Sequence, residues 1–206
     1  MSDGGLVCVV DDDPDIREAL VELLATVQLR TETYASASGF LAARRPEGPC
    51  CLVLDVRLPE LGGLEFQRLL TQQDIPIPVI FITGHGDVPM TVRAMKAGAV
   101  EFLTKPIQPQ ELLEAVQSAL RLDALRIEAQ EQVAELRARH RSLTQQEQRV
   151  MTLLVSGRVS KQIAGELAVS AVTVRLHRLQ VMRKMGADSL VELARIAEKI
   201  GVSSAR

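Results

Sequence analysis

The sequence predicts an α/β fold, a doubly wound parallel sheet of five strands, followed by a smaller domain made only of helices. Three observations carry this. Five short runs rich in β-branched residues, at about 6–11, 31–35, 50–55, 77–83 and 100–103, alternate with helical patterns over the first 120 residues. Four of those runs deliver a polar residue at or near their carboxyl end: Asp11 and Asp12, Asp55, Thr83, and Lys105. The last 65 residues show helical spacing only. Strand–helix alternation implies crossover connections and a parallel sheet with helices on both faces. In such a sheet the carboxyl ends of the strands share one crevice, where these folds place their chemistry.

The first run, LVCVVDDDP, leads to Asp13 and Pro14, a helix cap followed by the favoured first helical position. IREALVELLATVQ, SASGFLAARR, GGLEFQRLLTQQ and DVPMTVRAMKAG each carry apolar residues at helical spacing, and Gly98 is a helix stop. From Pro109 to about Arg139 no Pro or Gly interrupts, so a helix of about 30 residues and roughly 45 Å is expected. Leu122, Leu125, Ala129, Gln132 and Leu136 are spaced as a coiled-coil seam; the stretch reads equally as a solvated helical linker or a dimer-forming stalk. Thr144, three residues before Glu147, opens LTQQEQRVMTLLVSG with a capping-box signature, and Gly157 closes it. SKQIAGELAVS, SAVTVRLHRLQVMRKMG and DSLVELARIAEKIG complete a compact four-helix bundle.

Composition sets the outer limits. Hydrophobic residues make up 47% of the 206, which excludes a disordered chain. The chain has no Trp, one Tyr and four Phe, so its cores must be aliphatic. No apolar run is long enough to span a membrane, and MSDGGL lacks the basic-then-apolar order of a secretion signal, so a cytoplasmic protein is expected. Cys8, Cys50 and Cys51 read as buried thiols of a reducing compartment, with a vicinal redox pair at Cys50–Cys51 as the other reading. The net charge of −2 conceals a division. Residues 1–120 carry 9 Lys/Arg against 17 Asp/Glu, whereas residues 142–206 carry 10 against 5. An acidic front and a basic back imply two domains with different partners, the basic one suited to phosphate backbones.

A carboxylate can attack phosphorus and become an acyl phosphate. Asp55, at the end of the buried run CLVLD, has the rigid support that requires. Its difficulty is charge: carboxylates about 4 Å apart repel by roughly 4 kcal/mol per pair at an effective dielectric near 20. A hard divalent cation offsets this, and magnesium or manganese suits an all-oxygen site. Lys105 adds a compact cation, and the Thr83 hydroxyl can bond a phosphoryl oxygen. Singly, each of these residues reads as structural, the DDD before Pro as a capping turn and Asp55 as an ordinary strand end. Their joint placement does not.

VVDDDP, LDVRLPELGG, FITGHG and FLTKP together resemble the receiver domains of bacterial two-component response regulators, over residues 6 to about 120. The resemblance implies a flavodoxin-like strand order 2-1-3-4-5 and phosphate transfer to Asp55 from a sensor histidine kinase. It implies that Asp12, Asp55 and the Arg57 backbone carbonyl bind Mg²⁺ while Asp11 holds its waters. Thr83 and Lys105 would contact the phosphoryl group, the Lys105–Pro106 bond could be cis, and Phe102 would be the switch aromatic moving with Thr83. Arg57 and His85 lie two residues past Asp55 and Thr83, overhanging the acceptor, where they would set the lifetime of the phosphorylated state.

In the basic back end, SKQIAGELAVSAVTVRLHRLQVMRKM reads as a helix, a tight turn at Val169–Ser170 and a second helix. Ile163, Ala164, Leu167, Val172, Val174 and Met182 are its expected core. The segment resembles the LuxR-type helix-turn-helix of FixJ/NarL-class regulators over about residues 140–203. That resemblance points Arg175, Leu176 and Leu179 into the major groove of double-stranded promoter DNA. Lys161, Thr173, His177, Arg178 and Lys184 become phosphate contacts. Some relatives have Lys where Leu179 stands, and Leu179 can only pack on a thymine methyl.

The expected organisation is a receiver over 5–120, a helical linker over 121–140 and a helix-turn-helix domain over 141–203. The resemblance implies a transcriptional activator that dimerises when phosphorylated and works with RNA polymerase, and that is a phosphoacceptor rather than an enzyme. A phosphohydrolase with an aspartyl-phosphate intermediate is one alternative, although its usual signature has a second Asp two residues after the nucleophile, where Arg57 stands. A receiver serving only as a dimer module is the other.

Overall fold

β-branched residues dominate the strand runs, and the strands form where their spacing predicts. The computed structural model describes residues 5–44, 48–59, 61–84 and 88–202. β1 (Leu6–Val10), β2 (Arg30–Tyr34), β3 (Cys50–Asp55), β4 (Val79–Thr83) and β5 (Glu101–Thr104) form one sheet in the order β2-β1-β3-β4-β5. Every pairing is parallel. β1, β3 and β4 are buried nearly throughout, and the edge strands β2 and β5 are half exposed.

Alternate strand residues feed opposite faces, as a period of two requires. Val7, Val9, Cys51, Val53, Ile80 and Ile82 pack with Leu20 and Leu24 of α1 (Pro14–Ala25) and with Leu112, Val116 and Ala119 of α5 (Pro109–Arg141). Cys8, Val10, Leu52, Leu54 and Phe81 pack with Ala37 of α2 (Ala37–Ala42), Phe66 and Leu70 of α3 (Gly63–Gln72), and Ala94 of α4 (Val88–Lys96). The three cysteines form no disulfide, and burial pushes the Cys8 thiol up to about 12.

The start signals hold. Asp13 caps α1 by accepting from the Asp15 N–H at 2.9 Å, with Pro14 following. Gly98 sits beyond α4 at φ +90°, and the Lys105–Pro106 bond is cis.

The chain divides into two compact units, Met1–Ile127 and Glu128–Arg206. Within the first, Asp123 of α5 is fully buried, accepting from the Cys50 N–H at 2.9 Å and from Arg126 Nε at 2.7 Å. The second holds α6 (Gln145–Val155), α7 (Ser160–Leu167), α8 (Ala171–Met185) and α9 (Leu190–Ile200) around Val150, Met151, Ile163, Val174, Val181, Met185 and Leu193. The Thr144–Glu147 capping box is formed. Of the expected seam, Leu122, Leu125, Ala129 and Gln132 are exposed, whereas Leu136 packs into the second unit's core.

Gly63 shows how closely α3 abuts the strand end that carries Asp55. A Cβ there would lie 2.5 Å from the Asp55 carbonyl oxygen, 3.0 Å from Val56 Cα and 3.2 Å from the Phe81 ring. Two of those atoms are backbone and cannot rotate away. Gly63→Ala is therefore expected to lower stability by about 1–3 kcal/mol, read by denaturant unfolding, even though alanine is the better helix former.

Candidate functional site

Parallel strands β1, β3 and β4 end side by side, so the residues that follow them converge. Asp11 and Asp55 are buried and Asp12 is exposed, and the three offer carboxylate oxygens within 4.8 Å of one another. Lys105, just beyond β5, bridges two of them, with its Nζ 2.8 Å from Asp11 Oδ2 and 2.7 Å from Asp55 Oδ2. Backbone groups hold the other oxygens. The Asp13 N–H donates to Asp11 Oδ1 at 2.9 Å and the Arg57 N–H to Asp55 Oδ1 at 3.0 Å. Thr83 is fully buried at the end of β4, and its carbonyl accepts from the Lys105 N–H at 2.7 Å. Phe102 is half-buried, its ring centroid 6.1 Å from that of Phe81.

The charges record the crowding. Burial pushes the Asp11 carboxyl above its ordinary range, against the hydrogen bonds from Lys105 and the Asp13 N–H, and the Asp55 charge adds to the rise. Burial alone would lower Lys105, but its bonds to Asp11 and Asp55 hold it above the usual lysine value. One ammonium thus serves two buried carboxylates, with a third carboxylate alongside. An all-oxygen donor set with surplus negative charge is what a hard divalent cation requires, and the residues fit such an ion.

Sequence reasoning missed Arg17, whose Nη1 donates to the Asp11 carbonyl at 2.7 Å from the first turns of α1. Its position one turn past the Asp13 cap was the available signal. Arg57 is exposed, and His85 lies outside the described residues.

In the second unit, Ser170 caps α8 by accepting from the Thr173 N–H at 3.1 Å. Ala168 takes the left-handed conformation after α7 at φ +54°. Lys161, Arg175, Leu176, Arg178 and Leu179 are exposed, and Thr173 and His177 half-buried. One expectation is corrected: Val172 is not core but exposed, because it follows the cap on the face away from Val174. Lys184, expected as a phosphate contact, also has a partner within the unit. Its Nζ lies 2.7 Å from Oε2 of buried Glu147, the same oxygen that accepts from the Thr144 N–H, so it ties α8 to α6.

Residues 7–117, more than half the chain, match the family model of the response regulator receiver domain, and residues 141–197 match that of bacterial regulatory proteins of the luxR family. The chain belongs to the response-regulator family. It is 48% identical to Nodulation protein W of Bradyrhizobium diazoefficiens, over 97% of this chain and 88% of that protein. The transcriptional regulatory protein FixJ of Azorhizobium caulinodans is 41% identical, over 97% of this chain and 94% of that one. Among solved structures, the response regulator StyR superposes with a TM-score of 0.82 at 48% identity, over 95% of this chain and 99% of StyR.

As a response regulator with a LuxR-type domain, the chain is a phosphorylation-dependent transcription regulator, and its two domains imply a kinase phosphodonor and promoter DNA. Among the described residues no helix is long and apolar enough to cross a membrane.

In this response regulator the Glu147–Lys184 pair makes a checkable demand. The bond to Lys184 holds the Glu147 carboxyl below the usual glutamate range, with the Thr144 contacts adding to it against burial. A lowered folded value means the contribution is fully present above the ordinary glutamate value and is lost as pH falls through the lowered one. Glu147→Gln, which keeps a capping acceptor but removes the charge, is expected to lower the thermal midpoint of the second unit at pH 7. The gap from wild type should close as the medium is acidified below about pH 4.

Proposed function

We propose that Asp55 is the phosphoacceptor of a cytoplasmic transcriptional activator, and that its phosphorylation drives homodimerisation, promoter binding and contact with RNA polymerase. The single observation that carries the acceptor assignment is the Lys105 bridge. The ammonium fixes one oxygen of Asp55 at 2.7 Å while the Arg57 N–H holds the other at 3.0 Å, at a rigid strand end. A carboxylate so oriented needs no reorganisation before attack.

In the proposed step an Asp55 oxygen bonds to phosphorus, and the phosphorus–nitrogen bond to the donor's imidazole breaks. The nitrogen keeps the electron pair and takes a proton. Asp11, Asp12, Asp55 and the Arg57 carbonyl are the residues proposed to hold Mg²⁺ (or Mn²⁺), which when bound would neutralise charge on the incoming phosphoryl oxygens. Lys105 and the Thr83 hydroxyl take the remaining oxygens. Drawing Thr83 toward the phosphoryl group leaves room in which Phe102 turns inward. Moving such a two-state element from 1:99 to 99:1 takes about 5.5 kcal/mol of differential binding, which a doubly charged group bonded to Lys105 can supply. The chain is not proposed as an enzyme, because the acyl phosphate is its signal. The Arg57 side chain and His85 are proposed to set how long that signal lasts.

On the second unit, Arg175, Leu176 and Leu179 are proposed to read bases, and Lys161, Thr173, His177 and Arg178 to hold phosphates. Lys184 supports that surface through Glu147.

Incubation with labelled acetyl phosphate tests the acceptor. Label that decays measurably at neutral pH and is rapidly lost in alkali is expected on wild type with Mg²⁺. It should be absent with chelator or in Asp55→Asn, and lost from Arg57→Ala at an altered rate. Retained labelling in Asp55→Asn would end the assignment. On DNA, Arg175→Ala is expected to cost about 1–3 kcal/mol on a specific site and little on random duplex, whereas Lys161→Ala weakens both alike. Binding titrations at two salt concentrations separate these cases.

A further inference from the structure

α8 carries apolar side chains on two opposite faces. Val174, Val181 and Met185 are buried in the core of the second unit. Val172, Leu176 and Leu179 are 62%, 61% and 63% exposed. At about 100° per residue those three fall within a sector of about 60°, roughly opposite the buried face. From Val172 to Leu179 the outermost edge of the helix is therefore aliphatic, and exposed Arg183 continues it one turn further on. Arg175 lies on one shoulder with Arg178 beyond it, and Thr173 and Gln180 lie on the other.

A solvated helix face has no reason to align three large aliphatic residues at the point farthest from the core. The flanking charge and the LuxR family match fit DNA as the occupant better than protein. A major groove offers one apolar group, the 5-methyl of thymine. At about 1.5 Å rise per residue the edge spans roughly 10 Å, about three base-pair steps.

We propose that Val172, Leu176 and Leu179 form an apolar reading edge for thymine methyl groups in the major groove, with Arg175 fixing register on an adjacent guanine. Val172 thereby becomes a specificity residue, at the helix start where recognition helices meet bases. The half-site should place thymines within about three base pairs beside a guanine. The inference rests on the DNA-binding reading and deepens it by naming the group that is read.

The test uses the full chain treated with acetyl phosphate and Mg²⁺. Duplexes enriched from a random pool are remade with uracil for thymine, which deletes only the methyls. Burying one methyl is worth about 0.8 kcal/mol, so affinity should fall about fourfold for each methyl that the edge covers. Val172→Ala and Leu179→Ala, with wild-type thermal midpoints, should each shrink the thymine-to-uracil ratio by about that factor. Specific binding that is equal on thymine and uracil duplexes overturns the reading edge and leaves DNA binding intact. A thymine preference untouched by either variant overturns it too, assigning the preference to DNA shape. A changed sedimentation coefficient with unchanged base preference would give the edge to contacts between copies of the chain. Failure to enrich any duplex removes the DNA-binding reading and this inference with it.

Discussion

The Lys105 ammonium, held between Asp11 and Asp55, is the contact on which the acidic site depends. It joins residues 94 and 50 positions apart in sequence, each delivered by a different strand of the same parallel sheet. Without a cation between them the two buried carboxylates would repel by several kcal/mol at ordinary protein dielectrics. The site is a pocket where negative charge is tolerated only because positive charge is brought to it. A phosphoryl group on Asp55, as proposed, would offer Lys105 a richer set of acceptors than two carboxylates do. The burial of β1, β3 and β4 on both faces supplies the rigidity, since a strand packed on both sides cannot move its last residue aside.

The second unit uses charge in two distinct ways. Glu147 and Lys184 meet at low exposure, together with the Thr144 cap, so their charges cancel within the bundle and lock α8 against α6. Arg175 and Arg178 remain exposed on the same helix. A half-buried pair fixes orientation, and an exposed arginine can supply attraction to phosphate or a base edge. Residue type alone does not separate these roles. Lys184 looks as available as Lys161 until the packing of α6 on α8 is seen, and Val172 looks like core until the Ser170 cap sets its angular position.

Most of the first unit's architecture was legible. Parallel sheets need continuous apolar runs and intervening helices, both visible as periodicity, and β1 through β5 start and end within a few residues of the predicted runs. The acidic site was legible for a related reason. A strand's end is a position in sequence, so Asp11, Asp55, Thr83 and Lys105 could be placed in one crevice by spacing alone. What periodicity could not give was contact between elements. The Arg17 bond to the Asp11 carbonyl, the Asp123 link from α5 to the start of β3, and the closeness of Gly63 to Asp55 depend on how helices sit on the sheet.

The sequence by itself determined the alternation of elements, the caps, the division of charge between the two halves and the four polar strand ends, because each is a local pattern with a period or a spacing. Only the tertiary structure decided which charges are paired, which apolar residues are covered and which oxygens of Asp11 and Asp55 are held. Those outcomes turn on distances of a few ångströms between segments far apart in the chain. Spacing carries a residue to the right end of the right element; packing decides what it touches there.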